Sequence, residues 1–188
     1  MFSASKGVPA VIPYLLQRRV MALVGILLTA GVLVVPASAQ QPSPAAALAT
    51  DVGDLSDKFV GLARVMAGKY DWRPGQGVRS VSDVFNLIVD ENKMLNAILA
   101  GAQPPRLGST PPITDPAALQ EALRSSYATL RQTLAGMSAA DANARISMFG
   151  RETSKHDAVM GLLFDQHEHL GQSIAYARSN NIVPPWSR

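Results

Sequence analysis

Apolar residues return every three or four positions in four separate runs, and that spacing restricts this chain to packed helices. The first run extends from about Ala45 to Ala67 and carries Leu48, Val52, Leu55, Phe59, Leu62 and Met66. The second starts at Ser80, with Asp83 placed to complete a capping box. Its stripe is Val81, Val84, Phe85, Ile88, Leu95 and Leu99. The third opens on Asp115-Pro116, an N-cap followed by proline at the first helical position. Leu119, Leu123, Leu130 and Leu134 follow. The fourth runs from about Thr153 to Asn180 through Val159, Leu162, Leu163, Gln166, Leu170, Ile174 and Ala177. Turn formers separate the runs: Gly68 to Gly77, the proline-rich stretch from Gly101 to Thr114, and a loop through Phe149-Gly150. No alternating stretch is long enough for a sheet. The pattern predicts an all-α domain over residues 45–188, a four-helix bundle, preceded by a short linker at 40–44.

Residues 1–39 read differently. Lys6, Arg18 and Arg19 form a basic start, Val20 to Val35 is uncharged and apolar, and Ala37-Ser38-Ala39 ends the stretch with small residues. That order predicts a cleavable signal peptide and an exported protein, periplasmic or secreted. Those three basic residues account for the whole formal charge of +3, so the remainder is balanced. No basic run with interleaved aromatics occurs, which argues against a nucleic-acid role. No membrane association is expected beyond the signal peptide. The chain has no cysteine, so packing alone must hold an exported domain together.

Chemistry concentrates in Phe164-Asp165-Gln166-His167-Glu168-His169-Leu170-Gly171-Gln172, which holds two of the three histidines. On a helix, Asp165 and His169 share a face one turn apart, and can share a proton or a metal ion. Gln172 and Tyr176 continue that polar stripe. His167 points away from it, Glu168 lies opposite the apolar stripe, and His156 lies three turns from His167. The stretch is not the His-Glu-x-x-His zinc motif, whose histidines lie at i, i+4. Asn92 falls within the apolar stripe of the second helix, where a core amide bonded to a neighbouring helix is expected. Trp72 and Trp186, flanked by turn residues, are expected to plug the ends of the bundle. No Ser-His-Asp set and no phosphate-cradling glycine loop is legible.

Two stretches resemble the DinB family of four-helix-bundle proteins. One is Lys69-Tyr70-Asp71-Trp72-Arg73-Pro74-Gly75-Gln76-Gly77-Val78-Arg79-Ser80-Val81-Ser82-Asp83-Val84-Phe85; the other is His167-Glu168-His169-Leu170-Gly171-Gln172, followed by Ala175-Tyr176-Ala177-Arg178 and Ile182-Val183-Pro184-Pro185-Trp186. The resemblance implies a divalent metal held by three histidines, one on the second helix and two at i, i+4 on the last. It also implies a thiol-dependent transferase or a hydrolase for some members, and pairing of bundles into a homodimer. This chain departs from the pattern twice: the second-helix position is Leu87, and the first position of the last-helix pair is Asp165. Only His169 is kept.

Two functional expectations follow. Loss of two histidines favours a non-catalytic or vestigial member that binds a small ligand or a protein partner in the former metal cleft. The alternative is a metal-dependent hydrolase or thiol-type transferase with a rebuilt site. Glu91 lies one turn beyond Leu87, so Glu91, Asp165 and His169 can meet if the second and last helices face each other. That donor set suits a divalent zinc, manganese, iron or nickel ion.

Overall fold

The computed structural model describes residues 44–187, so the expected signal peptide and most of the linker lie outside the described residues. Helix α1 spans Pro44–Val65 and is followed by a single 3-10 turn, Ala67–Lys69. Pro44, read from sequence as linker, is its first residue, a position that tolerates proline because the missing N–H would have no helical partner. Helices α2 (Val81–Leu99) and α3 (Pro116–Ala135) follow, then the short α4 (Ala139–Asn143). Strands β1 (Arg145–Met148) and β2 (Arg151–Ser154) lead into α5, Lys155–Ser179.

The helix starts follow the predicted capping chemistry. Ser80 Oγ accepts from the Asp83 amide at 3.2 Å, and the Ser80 amide donates to Asp83 Oδ2 at 2.9 Å. Those reciprocal bonds satisfy two amides that the first helical turn leaves without partners. Asp115 caps α3 by accepting from the Ala118 amide at 2.7 Å. Ser154 caps α5 through the Asp157 amide at 3.0 Å, two residues into what the sequence suggested was already helix.

The hairpin corrects the expectation of a loop there. Arg145 pairs with Ser154 and Met148 with Arg151, antiparallel, around Phe149-Gly150. Both turn residues have left-handed backbones, φ 52° and 75°, as a two-residue primed turn requires. Four-residue strands are too short for alternation to stand out from a helical pattern, which is why periodicity missed them.

Packing places the four long helices around one core. Helix α1 lies against α3 and α5, α2 lies against the same two helices, and α1 and α2 sit diagonally opposed. Helices α2 and α5 are therefore neighbours. Phe59, Phe85 and Tyr127, from α1, α2 and α3, are all buried and meet at the centre. Their ring centroids lie 6.4 Å (Phe59–Phe85, edge-on) and 6.2 Å (Phe59–Tyr127, stacked) apart. Burial of each such ring stabilises the fold by about 2–3 kcal/mol. Trp72 closes one end of the bundle against Tyr176 of α5, centroids 5.2 Å apart, as expected. Trp186 does not plug an end. It remains 40% exposed on the flank of α1, where Gly61 leaves room for Pro185 beside it. Among the described residues no helix is long and apolar enough to cross a membrane.

Candidate metal centre

The core-facing positions of α2 step from Val84 to Ile88, then to Glu91 and Asn92, then to Leu95 and Leu99. Glu91 and Asn92 thus occupy one rung of an otherwise apolar ladder, and both are buried. On α5 the equivalent interruption is Gln166, also buried, with Asp165 and His169 on its flank. Because α2 and α5 are neighbours, these polar interruptions meet.

One oxygen of Glu91, one of Asp165 and a ring nitrogen of His169 lie within 4.8 Å of one another. His169 Nε2 is 3.6 Å from Asp165 Oδ2 and 4.0 Å from Glu91 Oε1. These gaps exceed ordinary hydrogen bonds. They suit donors that share a cation at about 2.0–2.2 Å each.

Hydrogen bonds on the far side of the imidazole determine what faces the gap. His169 Nδ1 lies 3.1 Å from Gln172 Oε1, and Gln172 Nε2 donates to the Tyr176 hydroxyl at 2.8 Å. Tyr176 in turn donates to the carbonyl of Arg79 at 3.1 Å. With the Gln172 amide oriented by Tyr176, its oxygen accepts the Nδ1 proton. Nε2 is then the ring nitrogen that faces the two carboxyls, as in a metal-ligating histidine whose other nitrogen is hydrogen-bonded. Two carboxyls and one imidazole around a single gap could hold a divalent ion, and the residues present fit one.

Burial pushes the Glu91 carboxyl up to about 8, and the neighbouring Asp165 charge adds to the rise. Among the described residues no lysine or arginine makes an ion pair with Glu91. Asp165 is half-exposed and supplies the open side of the group.

A buried amide network holds Glu91 in place. Gln166 Nε2 donates to Asn92 Oδ1 at 3.0 Å and reaches Glu91 Oε2 at 3.5 Å. The Tyr127 hydroxyl donates to Gln166 Oε1 at 2.9 Å. Asn92 Nδ2 donates to Ser126 Oγ at 3.2 Å, and Ser126 donates to the Leu123 carbonyl at 3.0 Å. Burial first, and the Glu91 charge second, hold the Tyr127 hydroxyl well above its usual range, so it stays a donor. The expected core role of Asn92 holds. Ser126 and Tyr127 were missed; their signal is a polar pair between Leu123 and Leu130 on an apolar stripe.

The other sequence candidates lie elsewhere. His167 is exposed and lies 3.2 Å from Asp51. His156 lies 3.3 Å from Asp157, and Glu168 is exposed. Leu87, where the resemblance implies a histidine, is half-buried and borders a separate cleft with Arg79 and Asp83.

Glu91 and Asp165 also line a cleft of about 750 Å³ between α2, the hairpin and α5, with Met94, Leu107, Met148 and Leu162 among its walls.

Comparison with known proteins agrees with this architecture. The profile of the DinB superfamily matches residues 57–173, which include Glu91, Asp165 and His169. A DinB-like protein from Bacillus cereus has a similar fold, with TM-score 0.63 and 15% identity over 72% of this chain and 92% of that one. A DinB-like protein from Bacillus subtilis gives TM-score 0.60 at 15% identity over the same shares. No curated protein sequence matches the chain. Helix order, packing and the extent of the family match lead to one conclusion: this chain belongs to the DinB superfamily.

Proposed function

We propose that this protein is a divalent-metal-dependent hydrolase or group transferase, with Glu91, Asp165 and His169 as the metal ligands. The observation that carries the reading is Glu91. A helix-edge glutamate normally turns to water, yet this one is buried and faces a carboxyl and an imidazole nitrogen. Two carboxylates and one imidazole leave coordination positions open. A divalent ion there would supply Lewis acidity toward a carbonyl or phosphoryl oxygen, or toward water. The chain's own groups then have distinct roles. Gln172 orients His169, and Gln166 and Asn92 orient Glu91. The partner is a small molecule held in the cleft, and the expected signal peptide supports a place outside the cytoplasm.

Elemental analysis of the purified protein after mild dialysis tests the reading. Roughly one equivalent of a first-row metal per chain is expected, or reloading by zinc, manganese, iron or nickel, with loss in His169→Ala and Glu91→Gln. A wild-type protein that cannot be loaded overturns it. That result would favour the competing reading, a vestigial bundle that holds a ligand or partner without metal.

A further inference from the structure

The cleft beside the metal centre follows one face of α5, from Asp157 through Ala158, Gly161 and Leu162 to Asp165. That stretch of helix extends about 12 Å at ~1.5 Å per residue. Gly161 sits within it, inside a 25-residue helix. A helix-interior glycine weakens the helix relative to alanine. Close packing usually explains one, as at Gly61, where a Cβ would come within 3.4 Å of Pro185. At Gly161 a Cβ would meet no atom within 4 Å. Gly161 is exposed on the cleft floor, so a side chain there would project into the open cleft.

Two further residues of the cleft carry a cost or a charge that the fold does not use. Phe149 lines the cleft from the hairpin tip, yet it is 74% exposed. Its backbone is left-handed, φ 52°, a conformation unfavourable for a bulky side chain. Arg151 is the one basic residue among the lining residues, and among the described residues its guanidinium makes no ion pair. Asp157, the acid on the same part of the cleft, meets His156 instead at 3.3 Å.

We propose that this cleft binds a small amphipathic acid, whose apolar body lies over Gly161 beneath Phe149 and whose anionic group meets Arg151. The reactive end of that ligand reaches Glu91 and Asp165, and this last clause rests on the metal-centre reading; the apolar and anionic contacts do not. Gly161 is thus a specificity-determining residue, because any side chain there would occupy the ligand's space.

The test uses the purified protein and two probes. Anilinonaphthalene sulfonate, an apolar ring system with one sulfonate, is titrated by fluorescence in the presence of a chelator. Wild type binds it; Gly161→Leu weakens binding about tenfold by filling the floor. Arg151→Gln weakens it several-fold, and Gly171→Ala, on the same helix but outside the cleft lining, leaves it unchanged. Gly161→Leu is expected to match or exceed wild type in Tm, which separates lost binding from lost folding. No dye binding to wild type, or equal binding by wild type and Gly161→Leu, overturns the proposal. Acetohydroxamate, a metal-seeking head with no apolar body, is added to zinc- or manganese-treated protein as the second probe. Dye binding without hydroxamate binding sinks the metal centre and keeps the cleft. The reverse result keeps the metal centre and sinks the cleft.

Discussion

His169 Nε2 stands 4.0 Å from Glu91 Oε1 across the seam between α2 and α5. The two residues are far apart in sequence and neither can hydrogen-bond the other at that distance. Each is oriented from behind instead, Glu91 by Gln166 and His169 by Gln172.

Burial of Glu91 makes stability depend on pH. The Glu91 carboxyl is raised from its ordinary value near 4.5 to about 8, chiefly by burial. Between those values the folded chain holds a proton that the unfolded chain has released. Stability of the metal-free protein is therefore expected to fall as pH rises from about 4.5 to about 8. Glu91→Gln, which stays neutral, flattens that decline. Thermal melts with a chelator across this range check both, and added divalent metal should restore the wild type at the alkaline end.

Gln172→Ala removes the acceptor that sets the His169 tautomer, together with its link to Tyr176. Metal affinity is expected to fall by about 10–100-fold, as is common when the group behind a histidine ligand is lost. Tm should change little, since Gln172 is only half-buried. Calorimetric titration of zinc into wild type and variant measures the difference.

Asn92→Ala should be costly. It leaves Gln166 Nε2 with only its long bond to Glu91 and takes away the Ser126 contact, inside the core. Buried groups left unsatisfied cost about 1–3 kcal/mol each. Urea unfolding should show a loss in that range, with weaker metal binding because Glu91 loses its support.

Phe149→Asn should stabilise the protein. Asparagine tolerates the left-handed backbone at that position, φ 52°, far better than phenylalanine does. The exposed ring gives up little packing. A gain of about 0.5–1 kcal/mol is expected, measured by thermal or urea unfolding. Loss of dye binding in the same variant would tie the strain to ligand contact.

Local chemistry made much of this protein legible. The i, i+3/i+4 recurrence of Leu119, Leu123, Leu130 and Leu134 is a property of one helix, and so is the Ser80–Asp83 box. Asp165 and His169 share a face for the same local reason. The hairpin escaped because Arg145–Met148 and Arg151–Ser154 are too short to display a period. Their stability comes from pairing with each other and from leading directly into α5.

By itself, then, the sequence determined where helices start and stop, which stripe of each faces inward, and that one carboxylate and one imidazole on the last helix stand together. Tertiary structure decided the direction of Glu91, the meeting of Gln166 with Tyr127 and Asn92, and the open floor at Gly161. The reason is physical. Periodicity depends on backbone geometry within a single helix, whereas a residue at a helix edge is buried or exposed by whichever neighbour covers that edge. For Glu91 the covering neighbour is α5, whose position against α2 follows from the packing of all four helices at once.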